Sequence, residues 1–341
     1  MRIVTFGEIM MRLSPEGYNR FVQADRFEVS YAGGEANVAV SLANFGDDAA
    51  FATRLPENPL GVAARNELRR FGVDTSAVVW GGPRLGVYFA EKGASQRPSK
   101  VVYDRAGSSI ALARRGDFDW AGILKGAKWF HFTGITPALG GELPAICADA
   151  LERCRERRIT VSCDLNYRGK LWSRKAAGRC MGKLVPFVDV LIANEADAAD
   201  VFGISAAGAD VAGGVIDREG YVAVAARLAE RFGCRKVAIT LRTSISASRN
   251  KWAGLLYDAA PGKAYFSPEY DMQIVDRVGG GDSFGGGLIH ALAAGWPPQR
   301  AIDFATAASC LKHSIERDFN HVTAAEVEAL AAGDASGRVQ R

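Results

Sequence analysis

Short apolar runs at 49–53, 128–132, 159–163, 189–193 and 236–240 alternate with helical patterns at 59–71, 142–158, 218–232, 283–294 and 298–316. A strand that feeds a helix and then another strand returns parallel to the first through a right-handed crossover. The alternation therefore predicts an α/β fold, with a mainly parallel central sheet covered by helices on both faces. Ile3–Phe6 reads as the first buried strand, and Glu35–Phe45 as a helix closed by Gly46. Two segments break the rhythm. Residues 10–32 and 84–106, the latter with strand-like stretches at 86–90 and 101–103, lack intervening helices. They predict a small β-strand lid on one large domain spanning 1–333, with 334–341 as a frayed C-terminal tail.

Composition narrows the class. A chain of 341 residues with 48% hydrophobic and 23% charged residues has ample material for a packed core. The formal charge of +4 comes without a basic run, which argues against a nucleic-acid partner and suits anionic small molecules. Six cysteines (147, 154, 163, 180, 234 and 310) form no C-x-x-C pair, so reduced, buried thiols are expected. Glu8 interrupts the N-terminus before a signal-like apolar core can develop, and no run reaches the ~18 residues of a membrane span. A cytoplasmic protein without membrane contact is the expectation.

The chemistry concentrates at Asp276-Arg277-Val278-Gly279-Gly280-Gly281-Asp282, immediately before a helical run. A helix N-terminus presents unpaired N–H groups and a partial positive charge, so glycines at 279–281 leave amides open to an anion. Asp282 at their edge can take a proton from an alcohol attacking phosphorus. An isolated Gly-Asp before a helix also reads as a turn and cap. Three more glycines at 285–287, inside the helix, favour the chemical reading by suggesting that something approaches that backbone closely. No G-x-x-x-x-G-K-[ST] occurs, which excludes a P-loop, and no G-x-G-x-x-G follows the first strand, which disfavours a dehydrogenase.

Two motifs together resemble the ribokinase-like (PfkB) carbohydrate kinases. Ala32-Gly33-Gly34-Glu35-Ala36-Asn37 is similar to the family's Gly-Gly-x-x-x-Asn, and 276–282 to its Asp-x-x-Gly-Ala-Gly-Asp, with Gly280 and Arg277 in place of the usual alanine and threonine. The resemblance implies a three-layer α/β/α domain with a lid, Asp282 as catalytic base, Gly279, Gly280 and Gly281 as the anion hole, and Gly33, Gly34 and Asn37 facing the sugar. Tyr103–Ser108 and Asp164–Arg168 are similar to the substrate-side motifs of 2-keto-3-deoxygluconate kinases. In that subgroup Arg105 and Arg168 would hold a carboxylate or a phosphate, while Tyr88 and Tyr103 close the lid side. Arg12, where many relatives carry an acid, also points away from a neutral sugar.

On the nucleotide side, Ala193–Asp197 resembles Asn-x-x-Glu with aspartate as the last residue. It implies Asn194 near the nucleotide and Asp197 on magnesium through water, with a helix-capping role as the alternative. Thr240 and Arg242 fall where relatives have a glycine-rich nucleotide loop. The implied cofactors are ATP and Mg²⁺, the partners a small sugar acid and ATP, and the assembly a homo-oligomer through the lid. A kinase of a neutral sugar such as fructose or ribose, and a non-catalytic sugar-acid or nucleotide sensor, remain the alternatives.

Overall fold

The computed structural model describes residues 1–194, 196–206 and 217–334. Its strands, in chain order, are β1 (Arg2–Phe6), β2 (Met10–Pro15), β3 (Phe27–Ala32), β4 (Asp48–Leu55), β5 (Val78–Trp80), β6 (Val87–Glu91) and β7 (Lys100–Asp104). They continue as β8 (Trp129–Thr133), β9 (Thr160–Asp164), β10 (Val190–Ala193), β11 (Lys236–Ser244), β12 (Arg249–Asp258), β13 (Lys263–Phe266) and β14 (Tyr270–Gln273). Among the described residues, ten strands form the main sheet in the order β13-β12-β11-β10-β9-β8-β1-β4-β5, with β14 also on β12. Strands β5 through β11 of that order run parallel, as the alternation predicts. Beyond β11 the pairing turns antiparallel.

Strand β1 shows how the three layers arise. Side chains alternate across a strand, so Ile3 packs with the helices Gly34–Asn44, Gly280–Ala293 and Pro298–His313, while Val4 and Phe6 enter the opposite core against Leu143–Glu156. Every predicted helix forms, with shifts of a few residues at its ends. The helix expected from 283 begins at Gly280, because Gly279 adopts a left-handed conformation (φ +86°) that caps it.

Strands β3-β2-β6-β7 form a separate four-stranded sheet from the two segments that break the helical rhythm. One face carries Arg12, Tyr88 and Tyr103 toward the body. The other carries Val29, Leu13, Phe89 and Val102 in register across all four strands. Val29 is 49% and Val102 53% exposed. Apart from Asp334, the expected tail lies outside the described residues.

Candidate active site

The carboxyl ends of β9, β10 and β11 and the start of the helix Gly280–Ala293 enclose a cavity of about 360 Å³ beneath the lid residues Val101 and Tyr103. This is the end of a parallel sheet where loops converge and ligands bind. A larger groove of about 780 Å³ lies at the opposite end of the strands, near Trp129, Thr160 and Lys236.

The glycine loop is pressed from behind and open in front. A Cβ on Gly279 would lie 2.0 Å from the Asp318 carbonyl oxygen, and one on Gly280 would lie 2.3 Å from the His313 ring. At Gly281 a Cβ would meet nothing within 4 Å. The Val278 amide donates to Asp276 Oδ1 (3.1 Å), and the Gly280 amide makes a long contact to the Arg277 carbonyl (3.4 Å). The amides of Gly281 and Asp282 find no protein acceptor among the described residues, as expected in the first turn of a helix. Glycines 286 and 287 have another cause. A Cβ on Gly286 would lie 2.7 Å from Ser41 Cβ, and one on Gly287 3.0 Å from Ala305 Cα. Neighbouring helices, not a ligand, approach the backbone at 286 and 287, while a Cβ on Gly285 would make only ordinary contacts, the nearest 3.7 Å from Ile192.

Asp282 stands at the cavity floor. Asn37 Nδ2 donates to its Oδ2 at 2.6 Å, and Asn37 Oδ1 accepts from the Gly33 amide at 3.2 Å. Burial raises the Asp282 carboxyl to about 7; Asn37 opposes the shift, Asp318 adds to it and Arg168 opposes it. Asn37, expected to face the sugar, is therefore committed at both ends to the loop and to the acid. Gly34 lies beside that acid, with room for a Cβ 3.7 Å from Asp282 Oδ1, whereas a Cβ on Gly33 would collide with the Glu8 carbonyl at 1.8 Å.

Tyr103, Arg168, Asn194, Thr240, Arg242, Gly279, Gly281 and Asp282 share the cavity wall. Tyr88, Arg105 and Asp197 stand elsewhere. Tyr88 is buried and its hydroxyl donates to Asp318 Oδ2 (2.7 Å), so its polar end faces the protein interior. Arg105 donates through Nε (2.8 Å) and Nη2 to Glu8 Oε2, while Ser108 donates to Glu8 Oε1 (2.6 Å). Asp197 accepts the Tyr167 amide on Oδ1 (3.1 Å) and the Asn194 amide on Oδ2 (2.9 Å), while Asn194 Oδ1 accepts the amides of Ala196 (2.7 Å) and Asp197 (3.0 Å), the reciprocal pattern of a helix cap. Arg12 is likewise withdrawn. Its guanidinium donates to Ser14 Oγ (2.8 Å), Asp318 Oδ1 (2.5 Å) and Asp276 Oδ2 (2.7 Å), so it is structural and says nothing about the sugar.

Sequence reasoning passed over two acids. Asp164 lines the cavity, and burial together with Asp197 and Asp282 pushes its carboxyl up. Glu35 is fully buried; its Oε1 accepts from the Thr133 amide (3.0 Å) and the hydroxyls of Thr133 (2.8 Å) and Thr136 (2.6 Å), tying the Gly33–Gly34 turn to β8. Both sit inside motifs noted above for other residues.

A glycine loop with a buried acid beside it, set at the carboxyl edge of a parallel sheet under a lid, coincides with a match of residues 1–314 to the pfkB family carbohydrate kinases. The chain belongs to the PfkB carbohydrate kinases. This PfkB chain is 34% identical to a 2-dehydro-3-deoxygalactonokinase of Haloferax volcanii, over 98% of both chains. The crystal structure of a 2-dehydro-3-deoxygluconokinase of Thermotoga maritima superposes with a TM-score of 0.94 at 52% identity, covering 98% of this chain and all of that one. A fructokinase of Klebsiella pneumoniae is 25% identical over 91% of both chains.

Proposed function

We propose that the protein transfers the terminal phosphoryl group of ATP to the terminal hydroxyl of a 2-keto-3-deoxy sugar acid, with 2-keto-3-deoxygluconate as the first candidate. The observation that carries this is Asp282, raised to about 7 and held by Asn37 beside the open amides of Gly281 and its own backbone. A carboxyl so tuned is half ionised near neutrality and can accept the hydroxyl proton. As the alcohol oxygen bonds to phosphorus and the bond to ADP breaks, charge gathers on the phosphoryl oxygens within reach of those amides.

The acid specificity rests on Arg168, whose guanidinium is exposed at the cavity edge and suits a carboxylate. Tyr103 covers the same side. Asn194, Thr240 and Arg242 face the other end, where the nucleotide would lie. Among the described residues no three His, Cys, Asp or Glu side chains converge as a metal cage. Asp164 suits a magnesium ion carried in on the nucleotide, because that ion keeps much of its water and needs few carboxylates. When bound, magnesium would neutralise phosphate charge. The lid would exclude water, a competing acceptor.

The apolar row Val29–Leu13–Phe89–Val102 on the lid's outer face supports a homo-oligomer in which a second copy covers it. Cytoplasmic residence fits six cysteines without disulfides. Among the described residues no helix is long and apolar enough to cross a membrane.

An ADP-release assay over 2-keto-3-deoxygluconate, its galactonate epimer, fructose and ribose tests the reading. The keto-deoxy acids should exceed the neutral sugars in kcat/KM by about 10- to 100-fold, the scale of a hydrogen bond to a charged group. Equal or better use of fructose or ribose would replace the acid with a neutral sugar. Tight nucleotide binding with no turnover on any acceptor would make the protein a sensor.

A further inference from the structure

Lys312 is completely buried, in the last turn of the helix Pro298–His313. A long charged side chain is almost never placed so without a carboxylate partner. Yet its ammonium donates to two backbone carbonyls, Ile315 O at 3.1 Å and Asp276 O at 3.5 Å. Around it lie Arg12, Asp276 and Asp318, all buried, with Asp282 farther forward. Two buried cations thus balance two buried carboxylates. Each acid is tied to the anion loop: Asp276 holds the Val278 amide, and the Asp318 carbonyl backs Gly279.

Resting on the kinase reading, we propose that Lys312 is a positioning residue for phosphoryl transfer, a tethered cation seated among carbonyls that holds the anion loop from behind and offsets the negative charge arriving in front. Without it, Arg12 alone faces Asp276 and Asp318, leaving net negative charge against a loop that must receive phosphoryl oxygens. A neutral side chain of similar length, such as methionine, restores most of the packing and not the charge. A small side chain leaves a space that a free ammonium ion can enter and fill, making the same contacts to the carbonyls.

The test compares wild type, Lys312→Ala and Lys312→Met in ammonium, potassium and tetramethylammonium chloride at equal ionic strength, reading kcat, KM and melting temperature. Wild-type turnover should not depend on which cation is present. Lys312→Ala should lose about 100-fold in kcat with little change in KM for the sugar, the scale of one electrostatic contribution to a transition state. Ammonium, and not tetramethylammonium, should restore much of that loss and raise the melting temperature of this variant. Lys312→Met should stay impaired in every salt.

Full turnover in Lys312→Ala, a loss that ammonium does not reverse, or a wild-type requirement for an added monovalent cation would each overturn the proposal. If Lys312→Ala fails to fold in every salt, Lys312→Met and the wild-type salt series decide: an active Met variant or a cation-requiring wild type refutes it. Silence of wild type on every acceptor would sink the kinase reading instead, and the ammonium-specific rise in melting temperature would still decide the place of Lys312.

Discussion

Replacing Asn37 with alanine removes the donor that holds Asp282 at 2.6 Å and favours its ionised form. A hydrogen bond to a charged group contributes about 1.5–3 kcal/mol, and one pKa unit corresponds to about 1.4 kcal/mol, so the carboxyl should rise by about one to two units from its value of about 7. The ionised fraction at neutral pH then drops from about half to between about 1 and 10%, and the rate falls about 5- to 50-fold with it. A base must be ionised to accept a proton, so activity rises with pH through this midpoint. The loss should therefore shrink by about pH 9. The assay is kcat/KM for ADP release against pH, which reports the free enzyme. An unshifted midpoint, or an equal loss at every pH, would refute the reasoning. It would assign Asn37 to the sugar or to the Gly33 turn, whose amide it also accepts.

Asp282→Asn should lower turnover by about 10²- to 10⁴-fold, the usual contribution of a general base, while calorimetry still detects sugar binding. Gly279→Ala should cost about 2 to 5 kcal/mol in denaturant unfolding, from the left-handed backbone and from a Cβ driven into the Asp318 carbonyl. Arg168→Ala should raise KM for a keto-deoxy acid about 10- to 100-fold and leave use of a neutral sugar nearly unchanged, a contrast steady-state kinetics will read. If the proposed lid-to-lid pairing holds, Val102→Asp should convert the oligomer to monomer in light scattering, because it puts a charge in the apolar row on the lid. An unaltered mass would exclude the lid as the interface.

Local patterns made the scaffold legible. Apolar runs at 128–132 and 189–193 became β8 and β10 nearly residue for residue, since a strand buried on both faces has little freedom in composition. The helix Ala324–Ala331 was missed although Thr323 and Glu326 form a capping box, because eight residues give a weak periodic signal. Within the site, the place of Asp282 beside the glycine loop at a helix start was readable because the acid and the backbone conformation share one short stretch. The duties of Arg12, Tyr88 and Arg105 were not. Each is decided by a partner far along the chain, Arg12 by acids 264 and 306 positions away, and no local spacing encodes which distant carboxylate a guanidinium will meet.

That clasp between the opening strand of the lid and the last stretch of the fold has a bearing on biosynthesis. A chain growing from its amino end exposes Arg12 early, yet the two acids that fix it emerge only 264 and 306 residues later. Until then the glycine loop lacks the backing of Asp318 and the lid lacks its anchor. Competence should thus appear abruptly, only once residue 318 has emerged, and fragments ending before residue 318 should be inert even where their parallel sheet has already formed.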